Sequence, residues 1–320
     1  MAFNRQWGMS GMGRGMIILL GVCAILAGCS SESVTNQDQK NEANRVNQGS
    51  VEQMAEQEQF DQGHAGWKLV WSDEFDGERI DEQKWTYDIG NGFTDGNGIY
   101  ISGWGNSELQ YYTSRDENVH VSDGALRITA IKESFEGHSY TSTRVKTKGL
   151  FSQTYGRFEI RARLPVGRGL WPAIWMLPEE SEYGGWAASG EIDIMEAKGS
   201  LPDQTSGAIH YGGVWPNNTY TAAEQQLPSG ELISDYHVYA LEWEREEIRW
   251  YVDDVLFQTA KDWHSVNAEG ERLPYPAPFD KPFHLLINLA IGGHFDGNPD
   301  DDTAFPAVME VDYVRVYEKE

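Results

Sequence analysis

Three acidic residues interrupt one apolar run. Glu191, Asp193 and Glu196 stand in S-G-E-I-D-I-M-E-A-K-G, residues 189–199, among Ile192, Ile194 and Met195. Two carboxyls facing a cleft from one rigid strand can cleave a glycosidic bond. One protonates the leaving oxygen while the other attacks the anomeric carbon. The phase of the run raises a difficulty. A strand places residues i and i+2 on one face and i+5 on the other, so Glu196 falls out of register with Glu191 and Asp193. One extra residue in a β-bulge restores it, and Met195 is the expected extra residue. The two outer α-carbons are then roughly 13 Å apart, so the two glutamate arms must lean together over the shorter aspartate. Close carboxyls cannot all ionise cheaply, so the cluster should hold one proton near neutral pH, as an acid catalyst requires. The competing readings are a solvated acidic strand and a divalent-metal site. The flanking Ile and Met speak against a solvated face.

The elements that must position these acids are strands. Period-two alternation marks W-K-L-V-W (67–71), A-L-R-I-T-A-I (125–131), G-R-F-E-I-R-A-R-L (156–164), Y-H-V-Y-A-L-E-W (236–243) and E-I-R-W-Y-V (247–252). It returns in P-F-H-L-L-I-N-L-A (282–290) and V-M-E-V-D-Y-V-R-V-Y (308–317). Alternation rich in β-branched and aromatic residues predicts half-buried strands. Hairpin turns are expected near Arg245 and at Asp253-Asp254. No long segment has a 3.6-residue period and no internal repeat is present. The 65–320 stretch therefore reads as one all-β catalytic domain, an antiparallel β-sandwich of the jelly-roll kind with a concave substrate cleft. Trp71, Trp85, Trp243 and Trp250 fall in or near these strands and are expected in the core.

The motif does not stand alone. W-S-D-E-F-D-G, W-G-N-S-E-L-Q-Y-Y-T, Y-G-R-F-E-I-R-A-R-L-P, G-L-W-P-A-I-W-M-L-P, Y-H-V-Y-A-L-E-W and V-D-Y-V-R-V-Y surround it in order. Together with E-I-D-I-M-E they resemble glycoside hydrolase family 16, and the residue inserted before the last Glu resembles its laminarinase-like branch. The resemblance implies that Glu191 is the nucleophile, Glu196 the general acid and then base, and Asp193 the residue between them, hydrogen-bonded to the nucleophile. No catalytic cofactor is implied. Trp175 and Trp186 would be sugar platforms, and Trp171 less so, since aromatic faces suit the C–H faces of sugar rings. Core packing is the alternative for each. His210 would lie on a neighbouring strand towards the leaving group, or be a satisfied structural histidine. Asn106, Glu108 and Arg157 match positions that line or brace the other end of the cleft, and Arg157 is equally readable as a structural ion-pair member. The family often binds one structural Ca²⁺ far from the chemistry. The matching positions are Glu74, Gly124 and Asp312, an oxygen-only set. Two departures stand out. Asp254 replaces a usual Gly, and His294-Phe295 replace a Trp-Pro element. The glycine-rich 90–104 stretch is expected to rim the cleft.

The expected substrate is a polysaccharide cut internally with retention, β-1,3-glucan of the laminarin type first. Mixed-linkage glucan, agar and carrageenan are the alternatives, and a non-catalytic glycan-binding lipoprotein is the rival from another class. Acidic residues number 50 against 25 Lys and Arg, a formal net charge of −25, which excludes nucleic acid as a natural partner. A monomer is expected. The two cysteines, Cys23 and Cys29, lie near the start of the chain, so no disulfide framework holds the rest together.

Residues 1–29 read as a secretory signal: Arg5 and Arg14, then an apolar run too short to span a membrane comfortably. Its end, Leu26-Ala27-Gly28-Cys29, resembles the lipobox of bacterial lipoproteins. That implies cleavage before Cys29, lipid on its sulfur, and export to a bacterial envelope or cell surface. Residues 30–64 are rich in Ser, Asn, Gln and Glu, and too polar to offset their ordering entropy. They read as a flexible tether. Labelled palmitate should enter the full chain in a lipoprotein-processing bacterial host and be lost in Cys29→Ala. Labelling that survives the substitution refutes the anchor.

Overall fold

Alternation along the chain becomes two sheets that share one core. The computed structural model describes residues 64–320. The signal-peptide and lipid expectations, and the tether up to residue 63, lie outside the described residues. The front sheet has seven strands, in the spatial order Asn218–Gln226, Gln204–Gly212, Glu191–Glu196, Leu170–Pro178, Phe283–Ile291, Arg144–Lys146 and Thr86–Asp88. All its pairs are antiparallel. The back sheet has ten strands, built around Gly156–Arg163 and the long Ala307–Lys319, with Trp67–Asp73 and Ala125–Phe135 sharing one edge of the latter. Among the strand pairs of the described residues one is parallel, Gln110–Tyr112 with His138–Ser142, and departs from the antiparallel expectation. A small hairpin, Gly92–Thr94 with Tyr100–Ser102, falls inside the glycine-rich stretch.

The facing sides of the sheets supply the core. Phe158, Ile160, Val314 and Val316 come from the back, and Ile174, Met176, Ile192 and Ile209 from the front, all almost fully buried. Trp85, Trp243 and Trp250 are core residues as expected, whereas Trp71 is only partly buried and stacks on Phe151. The 253–254 turn takes left-handed backbone at both Asp253 (φ 49°) and Asp254 (φ 61°). An ordinary two-residue hairpin turn needs that geometry, and aspartate tolerates it. The missing glycine at 254 therefore leaves the turn intact.

The strand that carries the acids has a bulge, but its extra residue is not the expected one. Across the 170–178 strand, Asp193 faces Trp175 and Met195 faces Ile174, so Ile194 has no counterpart. On the other side, Asp193 faces Ala208 and Glu196 faces Ser206, three residues against two. The correction from Met195 to Ile194 has a packing reason. A bulge turns two successive side chains towards the same side, and Ile194 and Met195 are both buried in the core. Glu196 is thereby returned to the face of Glu191 and Asp193.

The bulge also turns the Asp193 carbonyl out of the ladder. A buried carbonyl needs a donor, and the indole N–H of Trp250 supplies it from the back sheet at 2.8 Å. This approach requires Gly207. A Cβ there would stand 2.4 Å from the Trp250 ring.

Candidate active site

Each acid enters the cleft at a defined point. Gly190 (φ 89°) sets the start of the strand, since a Cβ at this position would lie 2.8 Å from Phe279. Glu191 follows, next to His210 on the neighbouring strand. The indole N–H of Trp186, in the loop before the strand, donates to Glu191 Oε2 at 3.1 Å. At the far end of the bulge, the indole N–H of Trp171 donates to Glu196 Oε1 at 2.9 Å. Each glutamate thus has its own tryptophan, and Asp193 lies buried between them.

The electrostatics follow from burial. Desolvation, then the charge of Asp193, pushes Glu191 up to about 7, although His210 and the Trp186 N–H oppose this. The same two causes push Glu196 up to about 8, against the Trp171 N–H. His210 Nε2 lies 3.3 Å from Asp193 Oδ2 and 3.8 Å from Glu191 Oε1. Burial alone would lower its basicity, yet Asp193 and the two glutamates raise it to about 9. At neutral pH the ring is therefore an imidazolium. It brings to Asp193 the positive charge that a metal ion would otherwise bring. Glu191, Asp193 and His210 do have the spacing of a metal triad. The charged ring fills that role with a proton, which favours acid–base chemistry over the metal-site alternative.

The aromatic residues divide between walls and supports. Trp175 lies across from Asp193, and its N–H donates to Asn288 Oδ1 at 2.7 Å. Trp171 stacks on Phe295 at 5.0 Å, so the His294-Phe295 departure still places an aromatic ring beside the acid. Asn106 sits close by. Its side chain donates to Glu108 at 3.2 Å, and its carbonyl accepts the His294 N–H.

Two residues of this region gave no signal in the sequence. Arg144 is buried against Trp104, Tyr112 and Trp175, with ring distances of 4.2, 4.8 and 5.2 Å. Asn288 pairs with it across the sheet and orients Trp175. Both stand in short alternating runs, T-S-T-R-V-K and L-I-N-L-A, where nothing marks a polar residue as belonging to the cleft.

Arg157 requires correction as a cleft residue. Phe158, Ile160 and Ala162 of its strand fill the core, so 157, 159 and 161 project from the outer face of the back sheet. There Arg157 pairs with Glu159, Glu242 and Asp254 at 3.0–3.1 Å, the structural ion-pair reading.

The three positions matched to calcium lie near one junction of strands. Along one edge of the last strand, 125–135 pairs with residues 307–311, and 67–73 pairs with 314–319. Glu74 directly follows one of these partners and Gly124 directly precedes the other, so both lie near Asp312 at the junction. Asp312 is itself bulged, since Arg161 faces Tyr313 and Ala162 faces Val311. The carboxylate of Glu74 is held by Arg315 at 2.8 and 3.0 Å. Arg161 contacts Asp312 Oδ2 at 2.6 Å.

Comparison with known proteins agrees with this geometry. The family model for glycosyl hydrolases family 16 matches residues 106–315. A glucan endo-1,3-beta-glucosidase A1 of Niallia circulans is 46% identical over 80% of this chain, a match that spans 38% of that relative's length. A beta-glucanase of Rhodothermus marinus is 48% identical over 78% of this chain and 85% of its own. Among solved structures, the endo-beta-1,3-glucanase of Pyrococcus furiosus has a TM-score of 0.69 and 39% identity, covering 79% of this chain and 95% of that one. With its two glutamates rephased onto one face and the family pattern running through both sheets, the chain belongs to glycosyl hydrolases family 16 and is a glycoside hydrolase.

Proposed function

We propose that this protein is an exported, retaining endo-β-1,3-glucanase. The observation that carries the chemistry is the common face of Glu191, Asp193 and Glu196, restored by the bulge at Ile194. The linkage is supported by the relatives named for β-1,3-glucan and β-glucan hydrolysis. In the first step, the Glu191 carboxylate attacks the anomeric carbon as the glycosidic C–O bond breaks. Glu196 gives its proton to the leaving oxygen. In the second step, Glu196 takes a proton from water, which attacks the same carbon and releases Glu191. Asp193, paired with the His210 imidazolium, holds negative charge beside both glutamates. Burial first, and then this charge, keeps the acid protonated in the resting site. The export signal and the Cys29 lipid belong to the same proposal and rest on the 16–29 sequence.

Reducing-sugar release from laminarin, lichenan, agar and carrageenan tests this reading. Laminarin should be cleaved fastest, to a ladder of oligosaccharides, with the β-anomer formed first by NMR. Glu191→Gln should lower kcat by at least about 10³-fold with an unchanged circular-dichroism spectrum. Near-normal kcat in that variant would overturn the assignment. A chain that binds laminarin but releases no sugar would instead be a binding module.

The raised glutamates set the pH response. The nucleophile must be ionised and the acid protonated, so activity should rise through the lower apparent pKa and fall through the upper one. Both lie above the usual carboxylate range, which predicts a bell centred near neutral or mildly alkaline pH. Removing the Asp193 charge with Asp193→Asn lowers both glutamates. Alongside any loss of kcat, the alkaline limb of kcat/KM should move to lower pH. An unmoved limb contradicts the electrostatic role.

We also infer a structural Ca²⁺ held by the Glu74 and Gly124 backbone oxygens with Asp312. The junction of strands supports it, although the ion must share Asp312 with Arg161. Calcium that binds only the folded chain should raise Tm, and EDTA should lower it by several degrees. The same Tm in EDTA and in excess calcium would remove the ion from the account.

A further inference from the structure

The cleft face continues beyond His210 to the edge strand 218–226, which the hydrolytic steps leave unused. Three rows cross the sheet here. Glu191, His210 and Tyr220 form one, Asp193, Ala208 and Ala222 the second, and Glu196, Ser206 and Glu224 the third. The middle row ends in two alanines, so it makes a low floor. One side of that floor is aromatic. The rings of Trp186, His210 and Tyr220 follow one another at 5.5 and 5.7 Å, with tilts of 34° and 31°. These steps are close to the strand spacing of about 4.8 Å, so His210 and Tyr220 offer one ring per strand. The other side is polar, with Ser206 and Glu224.

Tyr220 is 65% exposed. Its only aromatic neighbour among the described residues is His210, and its ring is not part of the core. A groove with an apolar floor, one aromatic wall and one hydroxyl- and carboxylate-bearing wall matches a sugar ring, which has C–H faces and a hydroxyl rim. Glu191 and Glu196 stand at the mouth of this groove, so a chain lying in it is continuous with the bond being cleaved.

We propose that Tyr220 is a specificity-determining platform for sugar units on the leaving-group side of the scissile bond, over the Ala208–Ala222 floor. It rests on the glucanase reading above and on the expectation, implied by the family resemblance, that His210 lies towards the leaving group. Through it the enzyme prefers a chain that continues past the cleavage point over a substrate whose leaving group is small.

The test compares kcat/KM for laminarin-derived oligosaccharides with kcat/KM for a nitrophenyl β-laminaribioside, whose leaving group places no sugar in the groove. In Tyr220→Ala the ratio of the two should fall about tenfold, the scale of one lost side-chain contact. Tyr220→Phe should restore it, because the ring face and not the hydroxyl supports the sugar. A ratio within about twofold of the wild type overturns the proposal. So does an equal fall on both substrates, which would place Tyr220 on the other side of the bond or in a purely structural role. Failure of the glucanase reading is separable. It appears as a wild-type chain that cleaves no laminarin, before any variant is compared.

Discussion

The hydrogen bond from Trp250 to the Asp193 carbonyl underlies the whole site. An extra residue in a strand ordinarily weakens its ladder, and a carbonyl turned into an apolar core carries a penalty of kcal/mol order if unpaired. Here the partner comes from the opposite sheet, through a gap that Gly207 keeps open. The two sheets are therefore tied together at the residue that separates the two glutamates. The bulge puts Glu196 on the right face, and the Trp250 bond makes the bulge tolerable. Thr205 adds to this by donating to the Glu196 carbonyl at 3.1 Å on the other side of the irregularity.

Above that backbone, the side chains form a charge arrangement that burial drives. Three carboxyls in so small and dry a volume cannot all ionise, and one cation close to the middle acid decides which do. His210 takes that position, with its ring between Trp186 and Tyr220 and its Nε2 3.3 Å from Asp193 Oδ2. The glutamates at the two ends each receive one indole N–H, a neutral donor that orients a carboxyl without fixing its charge. The middle acid is matched by a charge and the outer two by dipoles. That asymmetry leaves the charge of the outer pair to be set by burial and by the nearby Asp193.

Much of this was legible in the sequence because strands write their faces with a period of two. The all-β class, the core tryptophans 85, 243 and 250 and the need for a bulge all follow from that period. The choice between Ile194 and Met195 does not, since both are apolar and both enter the core. Arg157 was ambiguous because an outward strand position looks the same on either sheet. Only the pairing of the 156–163 strand with 237–243 and 307–319 assigns it to the back. Arg144 and Asn288 were invisible for a related reason. Their importance comes from a cross-strand neighbour more than 100 residues away, and alternation carries no information about neighbours.

Arg144 also bears on which polysaccharide fits. A sulfated galactan brings a negative charge to every few sugars and favours a cleft with uncompensated cations. The two cations that the front sheet places nearest Trp175 are Arg144 and Lys146. Arg144 lies between Asp88 and Glu108 at 3.7 Å each, and Lys146 is paired with Asp88. Arg144 is buried, and its planar face is already spent against three aromatic rings. A sulfate would have to displace a carboxylate and an aromatic contact together to reach it. A neutral glucan needs neither. It requires aromatic ring faces, and Trp175 and Tyr220 stand on opposite sides of the acid-bearing strand.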